Sequence, residues 1–270
     1  MESLGGDIVG VVPRTRIPIA LALLAGLAAC GSGRPGSFGS PSDSAARQTL
    51  TAFAAASLKP TFTELGKRFE AGHAGSTVVF SFAGSSDLVS QLTNGAPADV
   101  FASADLRTME QATGAGLADG TPVRFASNSL QIAVPTDNPG QVTSLRDLTR
   151  TDVTVAVCAP QVPCGAATEA LERAAGITLT PVTEESSVTD VLAKVSTGQV
   201  EAGLVYVTDV RAAGGKVAGI PFAESSAAMN VYPICVLAAS RNKDLARQFV
   251  ELVTGGEGRQ VLDAAGFAAP

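Results

Sequence analysis

Small residues occupy the starts of four predicted helices, and this pattern is typical of anion binding. The four starts contain Ser57, Ser85, Cys164 and Val188. The first N–H groups of a helix have no partner within the helix and lie at the positive end of its dipole. If such starts met in one cleft, they would hold a negatively charged ligand. Each one alone is an ordinary helix cap, and spacing by itself does not bring the four together.

The composition leaves few other chemistries open. The 270 residues carry 19 Lys+Arg and 25 Asp+Glu, a net charge of −6, and we therefore expect no nucleic-acid partner. His73 is the single histidine, and with four irregularly spaced cysteines it supplies too few ligands for a zinc cluster. We expect no metal cation, no cofactor and no enzymatic activity. A secreted serine hydrolase is a remote alternative, since the chain lacks a G-x-S-x-G motif.

The first thirty residues predict export and lipidation. Two arginines precede an apolar run over residues 17–27, which has the length of a signal-peptide core and is short for a membrane span. The run ends in Leu-Ala-Ala-Cys-Gly, which resembles the bacterial lipobox, in which the cysteine, here Cys30, receives the lipid. The other interpretation of Cys30 is a chance cysteine in a short core helix. We predict a signal peptide over 1–29 and a lipidated, flexible tether rich in Gly, Ser and Pro over 30–47.

Beyond the tether, apolar strand patterns alternate with helical patterns. The predicted strands cover residues 49–54, 77–82, 99–102, 153–158 and 203–206. This alternation predicts an α/β fold with mostly parallel sheets covered by helices. Extended apolar segments at 128–135 and 229–238 are candidates for strands by which the chain crosses between two lobes. We expect lobe 1 over 48–128, lobe 2 over 129–229 and completion of lobe 1 by 230–270, with one continuous sheet as the alternative.

Five motifs together resemble the molybdate-binding proteins of bacterial ABC importers. They are Phe-Ala-Ala-Ala-Ser-Leu at 53–58, Phe-Ala-Gly-Ser-Ser-Asp-Leu at 82–88, Gly-Ala-Pro-Ala-Asp-Val-Phe-Ala-Ser-Ala-Asp at 95–105, Val-Pro-Cys-Gly at 162–165 and Gly-Leu-Val-Tyr at 203–206. The resemblance covers residues 50–267. It implies a two-lobed periplasmic-binding-protein fold of type II, in which each lobe is a mostly parallel sheet flanked by helices. It also implies that molybdate or tungstate binds in the cleft between the lobes.

The resemblance further implies which residues contact the ion. Ser57 and Ser85 would bind through their hydroxyl and backbone N–H groups, Cys164 and Val188 through backbone N–H groups, and Tyr206 through its phenol. Judged without the resemblance, Tyr206 ends an apolar strand and is a core residue. Because none of these groups is cationic, we expect selection by cavity size and by the number of donors.

The resemblance implies a receptor that delivers its ion to a membrane permease energised by an ATPase. We expect a monomer outside the cytoplasm, held at the cell membrane by its lipid. A receptor of the same fold for sulfate, phosphate or a small carboxylate is the main alternative. An anchored adhesin or receptor without a small-molecule cargo is another.

Cys158 and Cys164 enclose five residues in a chain predicted to be exported, where disulfides form. We predict a disulfide between them, with two reduced thiols as the alternative. Such a bond would hold the backbone that carries the proposed Cys164 N–H group.

Overall fold

The computed structural model describes residues 48–270. The predicted signal peptide, the lipidation site Cys30 and the tether lie outside the described residues. Between residues 48 and 270, no helix is both long and apolar enough to cross a membrane.

The described residues form ten strands, most of them rich in apolar and β-branched residues. In chain order the strands are β1 (Gln48–Ala55), β2 (Ser76–Ala83), β3 (Val100–Ala102), β4 (Ala118–Asn128), β5 (Leu130–Val134), β6 (Val155–Cys158), β7 (Thr183–Glu185), β8 (Ala202–Tyr206), β9 (Ala218–Ile220) and β10 (Asn230–Leu237). They pair into two five-stranded sheets, with the orders β2-β1-β3-β10-β4 and β7-β6-β8-β5-β9. Two separate sheets define two lobes.

Eight α-helices within residues 48–270 cover the sheets. They are α1 (Lys59–Gly72), α2 (Ser85–Thr93), α3 (Leu106–Gly114), α4 (Pro163–Ala175), α5 (Val188–Ser196), α6 (Val207–Ala212), α7 (Lys243–Thr254) and α8 (Gly256–Ala265). Phe62 and Phe69 of α1 pack against Phe249 of α7, with ring centroids 6.0 and 5.4 Å from that of Phe249. This aromatic cluster joins the C-terminal helices to the first lobe, and their burial contributes strongly to its core.

Each sheet is mixed, with two parallel and two antiparallel pairings. All antiparallel pairings involve β10 in the first sheet and β5 in the second. The chain enters the second sheet at β5 and returns to the first sheet at β10. Ser129 alone separates β4 from β5, so the first passage is a single residue. The predicted two-lobed α/β fold is confirmed, with sheets that are mixed where we expected them mostly parallel. The lobe boundaries at 129 and 229 stay a prediction.

Candidate functional site

The carboxyl ends of the parallel strands of both sheets face one shared cavity. β1 ends just before Ser57, β2 just before the start of α2, and β6 and β7 just before the starts of α4 and α5. Loops at carboxyl ends of parallel strands meet at the same sheet edge and are the usual ligand site of α/β folds. The cavity lining includes Ser57, Gly84, Ser85, Ala104, Val162, Pro163, Cys164, Ser187, Val188 and Tyr206.

All five residues that the sequence analysis proposed as ligand contacts line this cavity: Ser57, Ser85, Cys164, Val188 and Tyr206. The first two come from the first lobe and the other three from the second. The volume open to the centre of a water molecule is about 20 Å³. A sphere of that volume, widened on every side by the radius of a water molecule, has a radius of roughly 3 Å. The cavity therefore has room for one small ion.

The Ser85 hydroxyl is set up as a donor. Its Oγ accepts a hydrogen bond from the Ala104 N–H at 3.0 Å, and the side chain is buried. Because a backbone N–H can only donate, the Ser85 proton is free for another acceptor. The Ser57 Oγ lies 3.0 Å from the hydroxyl oxygen of Tyr232, and in that pair either hydroxyl can donate. Each serine therefore has a partner behind it, and the Ser57 proton is available to the cavity when Tyr232 is the donor of their pair.

Backbone N–H groups add donors from both lobes. The first backbone hydrogen bond of α2 runs from Leu88 to Gly84, and the first of α4 from Ala166 to Val162. The N–H groups of Ser85 and Cys164 precede these bonds and so have no acceptor in their helix. Val188 begins α5 in the same way, after Ser187 caps that helix. Three helix starts thus direct their positive ends at one small space.

The Tyr206 hydroxyl is the most informative atom of the site. Tyr206 is only 1% exposed, and its hydroxyl oxygen has no hydrogen-bond partner among the described residues. Burying an unpaired hydroxyl costs about 1–3 kcal/mol. Burial, reinforced by Tyr232 and then by the Asp105 and Asp209 carboxyls, raises the pKa of Tyr206 well above its ordinary value. The phenol therefore keeps its proton and is a donor in need of an acceptor.

The residues that line the cavity have two acidic neighbours, Asp105 and Asp209. Asp105 caps α3 by accepting from the Thr108 N–H at 2.9 Å. Asp209 accepts from the Tyr206 N–H at 3.0 Å, and burial raises its pKa to about 7. No Lys or Arg lines the cavity in the part of the chain that the structure describes. Attraction for an anion therefore comes from neutral N–H and O–H groups.

The two lobes are in contact beside the cavity. The carbonyl oxygen of Gln161, in the second lobe, accepts from the Ser86 hydroxyl at 2.7 Å and from the Arg107 guanidinium at 2.8 Å. A Cβ on Gly84 would lie 2.1 Å from the backbone oxygen of Ser186. The lobes thus approach to backbone contact, which places the donors of both around the same space.

Cys158 and Cys164 form a disulfide, with their Cα atoms 5.6 Å apart. Cys158 ends β6 and Cys164 lies in the first turn of α4, so the bond closes the loop that supplies Gln161 and Val162. Gly165 packs closely on this loop, since a Cβ there would lie within 2 Å of the Ala159 oxygen. The loop that carries one of the backbone donors is therefore held at both ends.

Motif reasoning did not single out Tyr232, which lies on β10 and contacts Ser57. Its only sequence signal is that it is one of two tyrosines and lies in the predicted crossing segment 229–238. His73 lies at the opposite end of the first sheet, where its Nδ1 is 2.8 Å from the Phe69 carbonyl oxygen. Since the eight residues of β1 span roughly 26 Å, His73 is too distant to serve Ser57 as a base.

The fold and the site define a class. Two α/β lobes, joined by short crossings and closed over a small cavity of neutral donors, form a solute receptor of the periplasmic-binding-protein type. In agreement, residues 50–268 match the model of the family described as bacterial extracellular solute-binding protein. The chain belongs to this family. It is accordingly an extracytoplasmic transport receptor and not an enzyme.

Curated relatives share the sequence over nearly their whole length. The molybdate-binding protein ModA of Mycobacterium tuberculosis is 51% identical over 248 residues, which cover 92% of this chain and 95% of the relative. The molybdate-binding protein ModA of Escherichia coli is 32% identical over 81% of this chain and 88% of its own. The chain is thus similar throughout to proteins that bear this name.

Solved structures support the fold. The periplasmic molybdate-binding protein of Azotobacter vinelandii has a TM-score of 0.71 at 24% identity, over 82% of this chain and 99% of that one. The sulfate-binding protein SubI of Mycobacterium tuberculosis has the same TM-score at 17% identity, over 82% and 87% of the two chains. Receptors with different ions thus share this architecture, and only the residues of the cavity can distinguish their ligands.

Proposed function

We propose that this chain captures molybdate, and tungstate as well, in the cavity between its lobes and delivers the ion to the permease and ATPase of an ABC importer. The observation that carries the proposal is the buried Tyr206 hydroxyl, which has no partner among the described residues, at a cavity that Ser57, Ser85 and the starts of α4 and α5 also line. The 51% identity to a molybdate-binding protein supports the choice of ion.

In the proposed complex Ser57, Ser85 and Tyr206 donate through hydroxyls, and Cys164 and Val188 through backbone N–H groups. The backbone N–H groups of Ser57 and Ser85 bring the number of donors to seven. Removing a dianion from water is costly, and each hydrogen bond to a charged group contributes roughly 1.5–3 kcal/mol. Five to seven such donors offset the desolvation and leave the roughly 8–12 kcal/mol that micromolar to nanomolar binding requires. A cationic side chain is not needed.

With the Ser57, Ser85 and Tyr206 protons directed at the ion, the proposed contacts would offer donors and select against protonated ions. Hydrogen phosphate carries an O–H group that needs an acceptor, and a shell made only of donors leaves it unpaired. Sulfate carries no proton but is smaller, so it would leave some donors out of reach. We therefore propose that size separates molybdate from sulfate and that protonation separates it from phosphate.

Capture would proceed by hinge closure of the two lobes, which we assign to 48–128 with 230–270 and to 129–229. The hinge would lie at the β4–β5 connection and before β10. There the Asn128 amide donates to the Thr208 hydroxyl at 2.8 Å, and the Asn230 amide donates to the Ala104 carbonyl at 2.9 Å. A lipid on Cys30 would hold this monomeric receptor at the membrane next to its permease.

Isothermal titration with molybdate, tungstate, sulfate and phosphate tests the proposal. We expect sub-micromolar binding of the first two ions and no heat from the other two at physiological salt. Ser240→Ala is a matched control, because it removes a buried hydroxyl bond at 2.6 Å to Asp99, in the lobe 1 core away from the cavity. Binding of sulfate or phosphate would be consistent with an oxyanion receptor but would refute the proposed specificity. Binding of none of the four ions would refute the proposal.

A further inference from the structure

Tyr232 lies directly behind the cavity and is held rigidly. It is fully buried on β10, and its ring makes edge contacts with three aromatic rings. The ring centroids lie 6.3 Å away for Phe125, 5.4 Å for Phe267 and 6.0 Å for Tyr206. These contacts fix the direction of the phenol. Its oxygen lies 3.0 Å from the Ser57 Oγ.

The hydrogen bond between Tyr232 and Ser57 can run either way, and its direction decides what Ser57 offers to the cavity. If Ser57 donates to Tyr232, its proton is used and its oxygen faces the ligand. If Tyr232 donates to Ser57, the serine proton is free. Burial raises the pKa of Tyr232 well above its ordinary value, so the phenol keeps its proton and can donate.

A bound anion settles the direction. A hydrogen bond from Ser57 to a charged oxygen is stronger than one to a neutral phenol. Tyr232 can then donate to Ser57, and the two bonds polarise each other. Ser85 likewise accepts a hydrogen bond from behind, from the Ala104 N–H, and the direction of that bond is fixed because a backbone N–H can only donate. Both serines would thus be supported from behind by a donor.

We propose that Tyr232 is a positioning residue for ligand binding, whose hydroxyl donates to Ser57 and commits the Ser57 proton to the bound oxyanion. This inference rests on the proposed function, since it takes Ser57 as a contact of the ion. Tyr232 itself does not touch the ligand.

A double-mutant cycle on the full chain tests the inference, with molybdate affinity measured by isothermal titration. Tyr232→Phe keeps the ring and its packing, and we expect it to weaken binding about 5- to 10-fold. In a Ser57→Ala background the same change has no further effect, because the proton that Tyr232 positions is gone. In a Ser85→Ala background the loss of about 5- to 10-fold is retained. A purely structural role would give the same loss in all three backgrounds.

A spectroscopic measurement does not require Tyr232→Phe to fold. The chain has two tyrosines and no tryptophan. In Tyr206→Phe, Tyr232 is therefore the single tyrosine, and saturating molybdate should shift its near-ultraviolet absorption as the phenol becomes a donor. Adding Ser57→Ala should abolish the shift.

The outcomes separate the two proposals. If the unmodified protein does not bind molybdate, the proposed function fails. If it binds and Ser57→Ala weakens binding, but Tyr232→Phe has no effect or acts equally in both backgrounds, only the role of Tyr232 is overturned. An unchanged affinity of Ser57→Ala overturns the Ser57 contact and with it the role of Tyr232, while the ion assignment stands.

Discussion

Replacing Gly84 with alanine tests whether binding requires the lobes to close to backbone contact. Gly84 precedes α2 in the first lobe, and an added Cβ would lie 2.1 Å from the Ser186 oxygen of the second lobe. The backbone angles of Gly84, φ −57° and ψ 137°, are open to alanine. The change therefore acts on closure and leaves the folding of each lobe intact.

The size of the effect follows from the geometry. Real Cβ contacts do not fall below 3.0 Å, so the Ser186 oxygen must retreat by roughly 1 Å from its 2.1 Å position. A ligand hydrogen bond of about 2.9 Å would lengthen to roughly 3.9 Å, which is beyond bonding distance. The second lobe carries three of the proposed contacts. Losing two of them at about 1.5 kcal/mol or more each predicts affinity at least about 100-fold weaker.

Titration calorimetry with molybdate measures this loss, and thermal unfolding without ligand measures the fold. Gly114→Ala is the matched control, since Gly114 ends α3 and a Cβ there meets nothing within 4 Å. We expect the control to bind like the unmodified protein. Binding by Gly84→Ala within about threefold of the unmodified protein, with equal melting temperatures, would refute closure to backbone contact.

Two further predictions concern stability and the disulfide. Burial raises the pKa of Asp209 from 3.8 to about 7, so the folded state binds more protons than the unfolded chain between those values. The free energy of unfolding should therefore fall by up to about 1.4 kcal/mol per pH unit as the pH rises from about 4 to 7. Urea unfolding at several pH values measures this dependence, and the free energy of unfolding of Asp209→Asn should change less with pH. Replacing Cys158 and Cys164 with serine opens a short loop. We expect the free energy of unfolding to drop by about 2 kcal/mol and molybdate affinity to fall as well, whereas unchanged affinity would show that the loop holds its shape unaided.

The strand and helix alternation was readable from the sequence because each buried strand is a short apolar run ended by a turn. β4 was missed for a physical reason. It contains Gly120 and Pro122 and pairs irregularly with β10, with register shifts along its length. Such an edge strand has neither a continuous apolar run nor a strict alternation. The mixed sheets were also beyond sequence patterns, since strand direction depends on pairing between distant segments.

By itself, the sequence determined that small residues stand at helix starts and a tyrosine at a strand end, and the family resemblance made these non-cationic residues candidate ligands of an anion. These properties are local, and the family motifs record them. Only the tertiary structure decided that the groups of both lobes line one small cavity. It alone paired Ser57 with Tyr232 across 175 residues and left the Tyr206 hydroxyl without a partner in the described part of the chain. Convergence and hydrogen-bond pairing arise from packing between distant segments, which no local spacing encodes.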